Sequence, residues 1–390
     1  MKIVLLQDDF PPESLGGAGN MAATLALALK ELGHEVKVVA ATQERERAGA
    51  GEWQGIYVYR IFSAYHERWR AYRSLYSPGM ARKITRLLKE FNPDVVHAHN
   101  VHMHLSYYAL VLAKRHAKKV VLTAHDEMLF HYGKFYECIG RPDYKVHWWQ
   151  IAKRFTKRWN PLRNALIRHM TQGVSIASLS LEHRRALSDN GYDSGVVYNG
   201  MDPSGWPAEE QEILSFKRSH GIEGRRVVLF AGRISRLKGS EASMCMIARV
   251  RESDPEAVLV IAGAQDAASA DAVYTGWLSG DEMRRAYAAS DVVVFPSIYF
   301  DPFGLINLEA MASSKPVVAT CFGGAPEIVV DGSTGYVVDP RDTNAFADKV
   351  LQLLQDPEKA RRFGRAGRAR LLERFTARRM AEEYIVLYTS

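Results

Sequence analysis

Cysteine is scarce in this chain. Of 390 residues only Cys138, Cys245 and Cys321 are cysteine. They are odd in number, far apart and in no metal-ligand spacing, which excludes a disulfide framework and a cysteine-held zinc site and points to a reducing compartment. Long apolar runs are missing as well: none approaches the ~18 residues of a membrane-crossing helix. The opening "MKIVLLQDDF" meets Asp8 and Asp9 before the apolar core of a secretion signal can form. A cytoplasmic protein without a spanning helix is expected. The chain contains no D-x-D triplet, so a divalent metal held on paired carboxylates is not indicated, and no cofactor is expected. The last absence is local: between Lys145 and Met170 there are seven Lys or Arg and no Asp or Glu.

What is present is the composition of an ordinary globular protein, 47% hydrophobic and 24% charged, long enough for two domains. Short β-branched runs alternate with helical patterns: "KIVLL" (2–6), "HEVKVVAAT" (34–42), "PDVVHAH" (93–99), "KVVLTAHD" (119–126), "GVSIASLS" (173–180) and "GVVYNG" (195–200). The pattern restarts with "RVVLFAGRI" (226–234), "AVLVIAGA" (257–264), "DVVVFPS" (291–297), "KPVVAT" (315–320) and "TGYVVDP" (334–340). Strands flanked by helices imply βαβ units and parallel sheets. The turn residues of "NGMDP" (199–203) mark a domain boundary. The expected fold is α/β, with two Rossmann-like doubly wound parallel-sheet domains, 1–198 and 199–373, facing a cleft. A closing helix at about 374–390 is expected to pack back on the first domain. Ligands of such sheets meet the carboxyl ends of the strands.

Residues that suit an anionic ligand gather at those ends. In "LFAGRISRLKG" (229–239) Arg233 and Lys238 follow a strand and precede a helix. Two fixed cations beside a helix start are what a diphosphate needs, although the same pair also suits an ordinary surface loop. In "DPFGLINLEAMAS" (301–313), Phe303 and Gly304 shape a turn, and the N–H groups of Gly304 and Leu305 open a helix toward a phosphate. Glu309 sits on that helix among apolar neighbours with no adjacent Lys or Arg. A buried carboxylate needs donors; ribose hydroxyls would serve, and Asp301 would take sugar hydroxyls. The plainer alternative makes Glu309 a backbone cap and Asp301 a turn residue. In "PPESLGGAGN" (11–20), Gly16 and Gly17 form a flexible loop beneath a phosphate or sugar, without the G-x-G-x-x-G spacing of a dinucleotide fingerprint. His97, His99, His102 and His104 cluster in "VVHAHNVHMH"; with no carboxylate close in sequence, a cleft wall is expected rather than a metal. His125, ending a strand beside Asp126, is the stronger site candidate.

Taken together, "FPPESLGGAGN", "TAHD", "VVYNGMD", "FAGRISRLKG", "DVVVFPS", "DPFGLINLEAMA" and "GGAPEIVVDGSTGYVV" resemble the retaining nucleotide-sugar glycosyltransferases of family 4, with the GT-B fold, over essentially the whole chain. The resemblance implies a UDP- or GDP-linked sugar donor, bound through its diphosphate by Arg233 and Lys238, through its ribose by Glu309, and through phosphate and sugar by the N–H groups of Phe303, Gly304 and Leu305. It implies that His125 contacts the transferred sugar, that Gly16 and Gly17 close on donor and acceptor, and that His125, Asp301, Arg233 and Lys238 are the catalytic groups. The family's usual first glutamate is Asp301 here, one methylene shorter. The segment 263–274 is also shorter than the family's, which bears on the nucleotide-base edge near Tyr274 to Trp277.

The acid-free stretch 145–170 interleaves its cations with Trp148, Trp149, Phe155 and Trp159, and its apolar residues share a helical face interrupted near Pro161. Such a stretch suits an anionic membrane surface, or packs its apolar face on the first domain. The leading expectation is a hexosyltransferase acting on a glycan or lipid-linked acceptor, in cell-surface polysaccharide or glycolipid synthesis. Alternatives are a soluble enzyme making a small glycoside and a non-catalytic nucleotide-sugar-binding protein. A net charge of +7 alone does not make a nucleic-acid binder, and none of the usual motifs is present.

Overall fold

The computed structural model of the protein describes residues 1–14, 16–263, 272–278 and 280–390. They form two compact units, Met1–Asp202 together with Ala377–Ser390, and Pro203–Thr376.

The first unit is built on β1 (Lys2–Gln7), β2 (Glu35–Thr42), β3 (Gly49–Trp53), β4 (Ile56–Phe62), β5 (Val95–Ala98), β6 (Lys119–Thr123), β7 (Ser175–Ser178) and β8 (Gly195–Val196). They order as β3-β4-β2-β1-β5-β6-β7-β8. The β3–β4 pair is antiparallel, and its neighbours from β4 through β8 run parallel. Helices cover both faces, so central strands can be apolar on both sides; Val38, Val39 and Ala40 of β2 are all fully buried. The helix Ala377–Thr389 places Met380, Ala381, Tyr384 and Tyr388 in the same core as Ile3, Leu5, Val38 and Val121. Their spacing by three and four is one face of a helix.

The second unit holds β9 (Arg226–Ala231), β10 (Ala257–Ala262), β11 (Ala272–Gly276), β12 (Val292–Phe295), β13 (Val317–Thr320) and β14 (Gly335–Val338). The sheet is parallel throughout, in the order β11-β10-β9-β12-β13-β14. The chain leaves β9 in one direction and later returns to its other side with β12. The crevice where strand order reverses is the place such sheets bind ligands. In the first sheet the corresponding pair is β1 and β5.

Two local features differ from expectation, and a third follows it. The β3–β4 hairpin has no helix between its strands. Gln54 (φ +47°) and Gly55 (φ +72°) make the two-residue left-handed turn that matches strand twist. Strand β11 was not anticipated; it pairs with β10 at the sheet edge. Of the short segment 263–274, residues 264–271 lie outside the described residues. Finally, the acid-free stretch is two helices, Trp148–Phe155 and Arg163–Met170, with Pro161 in the break between them. Its apolar face is only partly covered: Ile151 is buried, while Trp148 is 69% and Leu162 is 63% exposed. Arg163 is 1% exposed and holds three carbonyl oxygens: those of His131 (3.3 Å) and Met128 (2.6 Å) and the side-chain amide oxygen of Asn164 (3.1 Å).

Candidate active site

In the second unit the candidate residues sit on the two loops that leave β9 and β12, the strands flanking the reversal. Arg233, two residues past β9, is exposed and makes no hydrogen bond or ion pair among the described residues. Lys238 closes a single 3₁₀ turn, Arg236–Lys238, capped by the Ser235 hydroxyl, which accepts from the Lys238 N–H at 3.3 Å. Its ammonium lies 3.0 Å from Asp301 Oδ2. That oxygen also accepts from the Tyr299 hydroxyl at 2.8 Å, and Oδ1 accepts from the Phe303 N–H at 3.3 Å. Asp301 is thus fully engaged within the protein. Burial alone would push its carboxyl up, but Lys238, the Tyr299 hydroxyl and the Phe303 N–H together hold it below the usual range.

The turn after Asp301 then opens a helix, Leu305–Ala312. Gly304 precedes it at φ +81°, and a Cβ there would meet the Phe295 ring at 2.7 Å and the Asn307 side-chain nitrogen at 2.9 Å. Only glycine fits. The N–H groups of Gly304 and Leu305 have no partner among the described residues, as expected of a helix start that waits for an acceptor. Asn307 is fully buried and neither atom of its amide is hydrogen-bonded within the described protein. Phe303 is buried against Phe375, ring centroids 6.2 Å apart. Glu309, one turn into the helix, is half-buried and accepts from the fully buried Tyr287 hydroxyl at 2.5 Å. Burial raises its carboxyl above the usual range, and the tyrosine bond only partly offsets this. Its second oxygen is open to a further donor.

In the first unit, Gly16 caps the helix Gly17–Glu31 with extended backbone. Asp9, just past β1, accepts from the Ser14 hydroxyl at 3.2 Å and from Gln7 Nε2 at 2.6 Å, and the same hydroxyl also approaches the Gly16 carbonyl at 3.1 Å. So the glycine loop is tied to the end of β1. Asp8, beside it, is buried and accepts three backbone N–H groups, from Met103, His104 and Leu105, at 2.6 to 2.8 Å. Burial nevertheless pushes its carboxyl up to about 7.

His125 follows β6, and its Nε2 lies 2.8 Å from Nδ1 of His99, which follows β5. His97 stacks on the His99 ring with centroids 4.2 Å apart. His102 faces Asp126 at 3.4 Å, and His104 meets the Ser63 hydroxyl at 3.1 Å. Among the described residues no group of three His, Cys, Asp or Glu is arranged to hold a metal ion. Burial keeps these imidazoles neutral: His125 and His102 are lowered to about 4, and His97 to about 3.

The structure therefore gathers Arg233, Lys238, Asp301, Phe303, Gly304, Leu305 and Glu309 at one reversal point, and Gly16, Gly17 and His125 on loops after β1 and β6. Sequence reasoning missed Tyr299, Tyr287, Asn307 and the role of His99. Tyr299 carried a signal, two residues before Asp301. Tyr287 and His99 meet their partners only through the fold.

Comparison with known proteins gives this arrangement its family. Residues 15–205 match the family model Glycosyltransferase Family 4, and residues 212–370 match Glycosyl transferases group 1. Alpha-maltose-1-phosphate synthase of Mycobacterium tuberculosis is 30% identical, over 100% of this chain and 99% of that protein. The sulfoquinovosyl transferase SQD2 of Arabidopsis thaliana is 27% identical over 94% of this chain and 69% of that protein. Among solved structures, sucrose-phosphate synthase from Thermosynechococcus elongatus superposes with a TM-score of 0.77 at 18% identity, covering 100% of this chain and 98% of that one. Anabaena HepE in complex with UDP-glucose does so with a TM-score of 0.73 at 19% identity, covering 100% and 99%. With both halves matched and a relative similar from end to end, the chain belongs to glycosyltransferase family 4, a hexosyltransferase of GT-B fold that uses a nucleotide sugar.

Proposed function

We propose that the protein transfers a hexose, with retention of configuration, from a UDP- or GDP-linked donor to a glycan or lipid-linked acceptor. The second unit takes the donor and the first takes the acceptor. The observation that carries the donor half is the anion seat after β9 and β12: the Arg233 guanidinium together with the N–H groups of Gly304 and Leu305, none of which has a partner among the described residues. These groups, with Lys238, suit the diphosphate, and the open oxygen of Glu309 suits a ribose hydroxyl. His125 contacts the transferred sugar, and Gly16 and Gly17 form the loop beside it.

In the reaction, the bond between the sugar C1 and the β-phosphate oxygen breaks as the acceptor hydroxyl oxygen bonds C1 from the same face. The hydroxyl proton passes to an oxygen of the departing phosphate. Arg233, Lys238 and the helix start at Gly304–Leu305 stabilise the charge that grows on the leaving nucleoside diphosphate, a preorganised electrostatic role. Asp301 acts through Lys238: it fixes the ammonium in place and leaves two of its three protons for the diphosphate.

A membrane-held acceptor is favoured by the exposed Trp148 and Leu162 on the acid-free stretch 145–170, a composition suited to anionic lipid. Among the described residues no helix is long and apolar enough to cross a membrane.

Calorimetry with UDP and with GDP tests the donor seat. One of the two binds wild type with micromolar affinity, and Arg233→Ala weakens it by about tenfold or more, as expected for a lost charge-assisted contact. Arg233 holds nothing else among the described residues, so its loss leaves the melting temperature unchanged. Equal binding by wild type and variant would refute the assignment.

A further inference from the structure

His99 and His125 share one hydrogen bond, Nδ1 to Nε2 at 2.8 Å, with rings 5.1 Å apart and 23° from parallel. Two neutral imidazoles can make such a bond in only one sense at a time: one nitrogen donates and the other accepts. The surroundings of His99 choose the sense. Its other nitrogen, Nε2, is buried and has no hydrogen-bond partner among the described residues. A proton placed there would be an N–H stranded in the interior, and such orphaned donors are rarer in proteins than under-satisfied acceptors. The proton therefore sits on Nδ1 and is donated to His125. His125 Nε2, now an acceptor, carries no proton, and its own proton resides on Nδ1. That nitrogen has no partner among the described residues.

We propose that His99 is a positioning residue that locks His125 as the Nδ1–H tautomer, so that His125 presents a hydrogen-bond donor, and not a lone pair, to the transferred sugar. The inference rests on the reading of His125 as a sugar contact. It also assigns His125 a limit. With Nε2 tied to His99 and Nδ1 already protonated, His125 cannot act as a base toward the acceptor hydroxyl.

The array is braced from behind. Both nitrogens of His97 are engaged, Nδ1 with the Tyr388 hydroxyl at 2.7 Å and Nε2 with the Thr123 hydroxyl at 2.7 Å, and Thr123 in turn meets the Tyr384 hydroxyl at 2.7 Å. The His97 ring is thereby held flat against His99. The closing helix Ala377–Thr389, which supplies both tyrosines, reaches the sugar site through two stacked rings.

The test has two arms. In the full-length protein labelled with ¹⁵N-histidine, the His125 resonances, identified by their loss in His125→Ala, should show a protonated Nδ1 and a bare Nε2. The second arm follows nucleotide release from UDP-glucose and GDP-mannose, using whichever the wild type hydrolyses. His99→Leu should lower kcat roughly tenfold, the order expected for one lost hydrogen bond, with the dissociation constant for UDP or GDP unchanged. His99→Asn, whose Nδ2 can stand where Nδ1 stood, should stay near wild type. A His125 protonated at Nε2, or His99→Asn as slow as His99→Leu, would overturn the proposal. Undiminished hydrolysis by His125→Ala would instead overturn the sugar-contact reading and the positioning role with it, while the ¹⁵N shifts would still report the tautomer.

Discussion

Asp301 and Glu309 are carboxylates on neighbouring turns of the second unit, and their surroundings push them in opposite directions. Asp301 has an ammonium and a hydroxyl on one oxygen; Glu309 has a single hydroxyl. Glu309→Gln keeps an acceptor for Tyr287 and removes a charge that burial disfavours. It should raise the urea midpoint of the second unit at neutral pH while weakening nucleotide binding by about tenfold. A loss of stability with unchanged binding would make Glu309 a structural residue. Asp301→Ala does the reverse, leaving Lys238 a half-buried cation without its partner. We expect a cost of about 3 kcal/mol in urea denaturation, toward the low end for buried pairs because both groups touch solvent. The sign with pH also differs. The Asp301 contribution is present above the unfolded value of 3.8 and lost as pH falls through its lower folded value, whereas Glu309 destabilises progressively as pH rises through its raised one.

At the scale of elements, the helices Trp148–Phe155 and Arg163–Met170 separate exposed from structural positions. Trp148→Ala with Trp149→Ala should leave the melting temperature within error, since surface changes usually stay within about 0.5 kcal/mol. The same pair should reduce co-sedimentation with phosphatidylserine vesicles relative to phosphatidylcholine ones; equal binding to both would remove the membrane reading. Arg163→Ala, one helix further on, should cost about 3 kcal/mol, because it strands the Met128 and His131 carbonyls in the interior. Only part of this was legible in sequence. The spacing of Trp148, Phe155, Trp159 and Leu162 announces a helical face, but which side meets the core depends on what lies against it. Likewise the runs "RVVLFA" and "AVLVIA" read directly as strands buried on both faces. "GAGEW" of β3 has one aromatic and no β-branched residue, and is held as a strand only by its pairing with β4. The candidate site shows the same division. Arg233, Gly304 and Glu309 were readable because motif and turn chemistry are local. Tyr287 with Glu309, and His99 with His125, were not, because long stretches of chain lie between the partners.

The whole molecule carries several neutral histidines that are buried or half-buried, and this sets its response to acid. His97, His102 and His125 titrate near 3 to 4 when folded, against 6.5 when exposed. Between those values the unfolded chain binds protons that the folded one refuses, so stability rises with pH across this window. Asp8 opposes them: raised to about 7 from 3.8, it is protonated first in the folded state. The histidines outnumber it. The unfolding free energy of the first unit should therefore drop by about 2–3 kcal/mol for each pH unit of acidification near pH 5, measured by urea titration from pH 7 down to 4.5. A flat profile would mean that these imidazoles reach solvent.

The division of the chain at Asp202 and Thr376 has a bearing on how the protein is made. The second unit is one uninterrupted stretch, and all of its strands exist once residue 338 has been added. The first unit begins earlier yet lacks Tyr384 and Tyr388, and so one wall of its core, until synthesis has passed them. During translation the later-starting half is thus the earlier to close, while the earlier half waits with Ile3, Val38 and Val121 short of their cover. A premature stop between residues 377 and 384 would spare the second unit and strip the histidine array of Tyr384 and Tyr388.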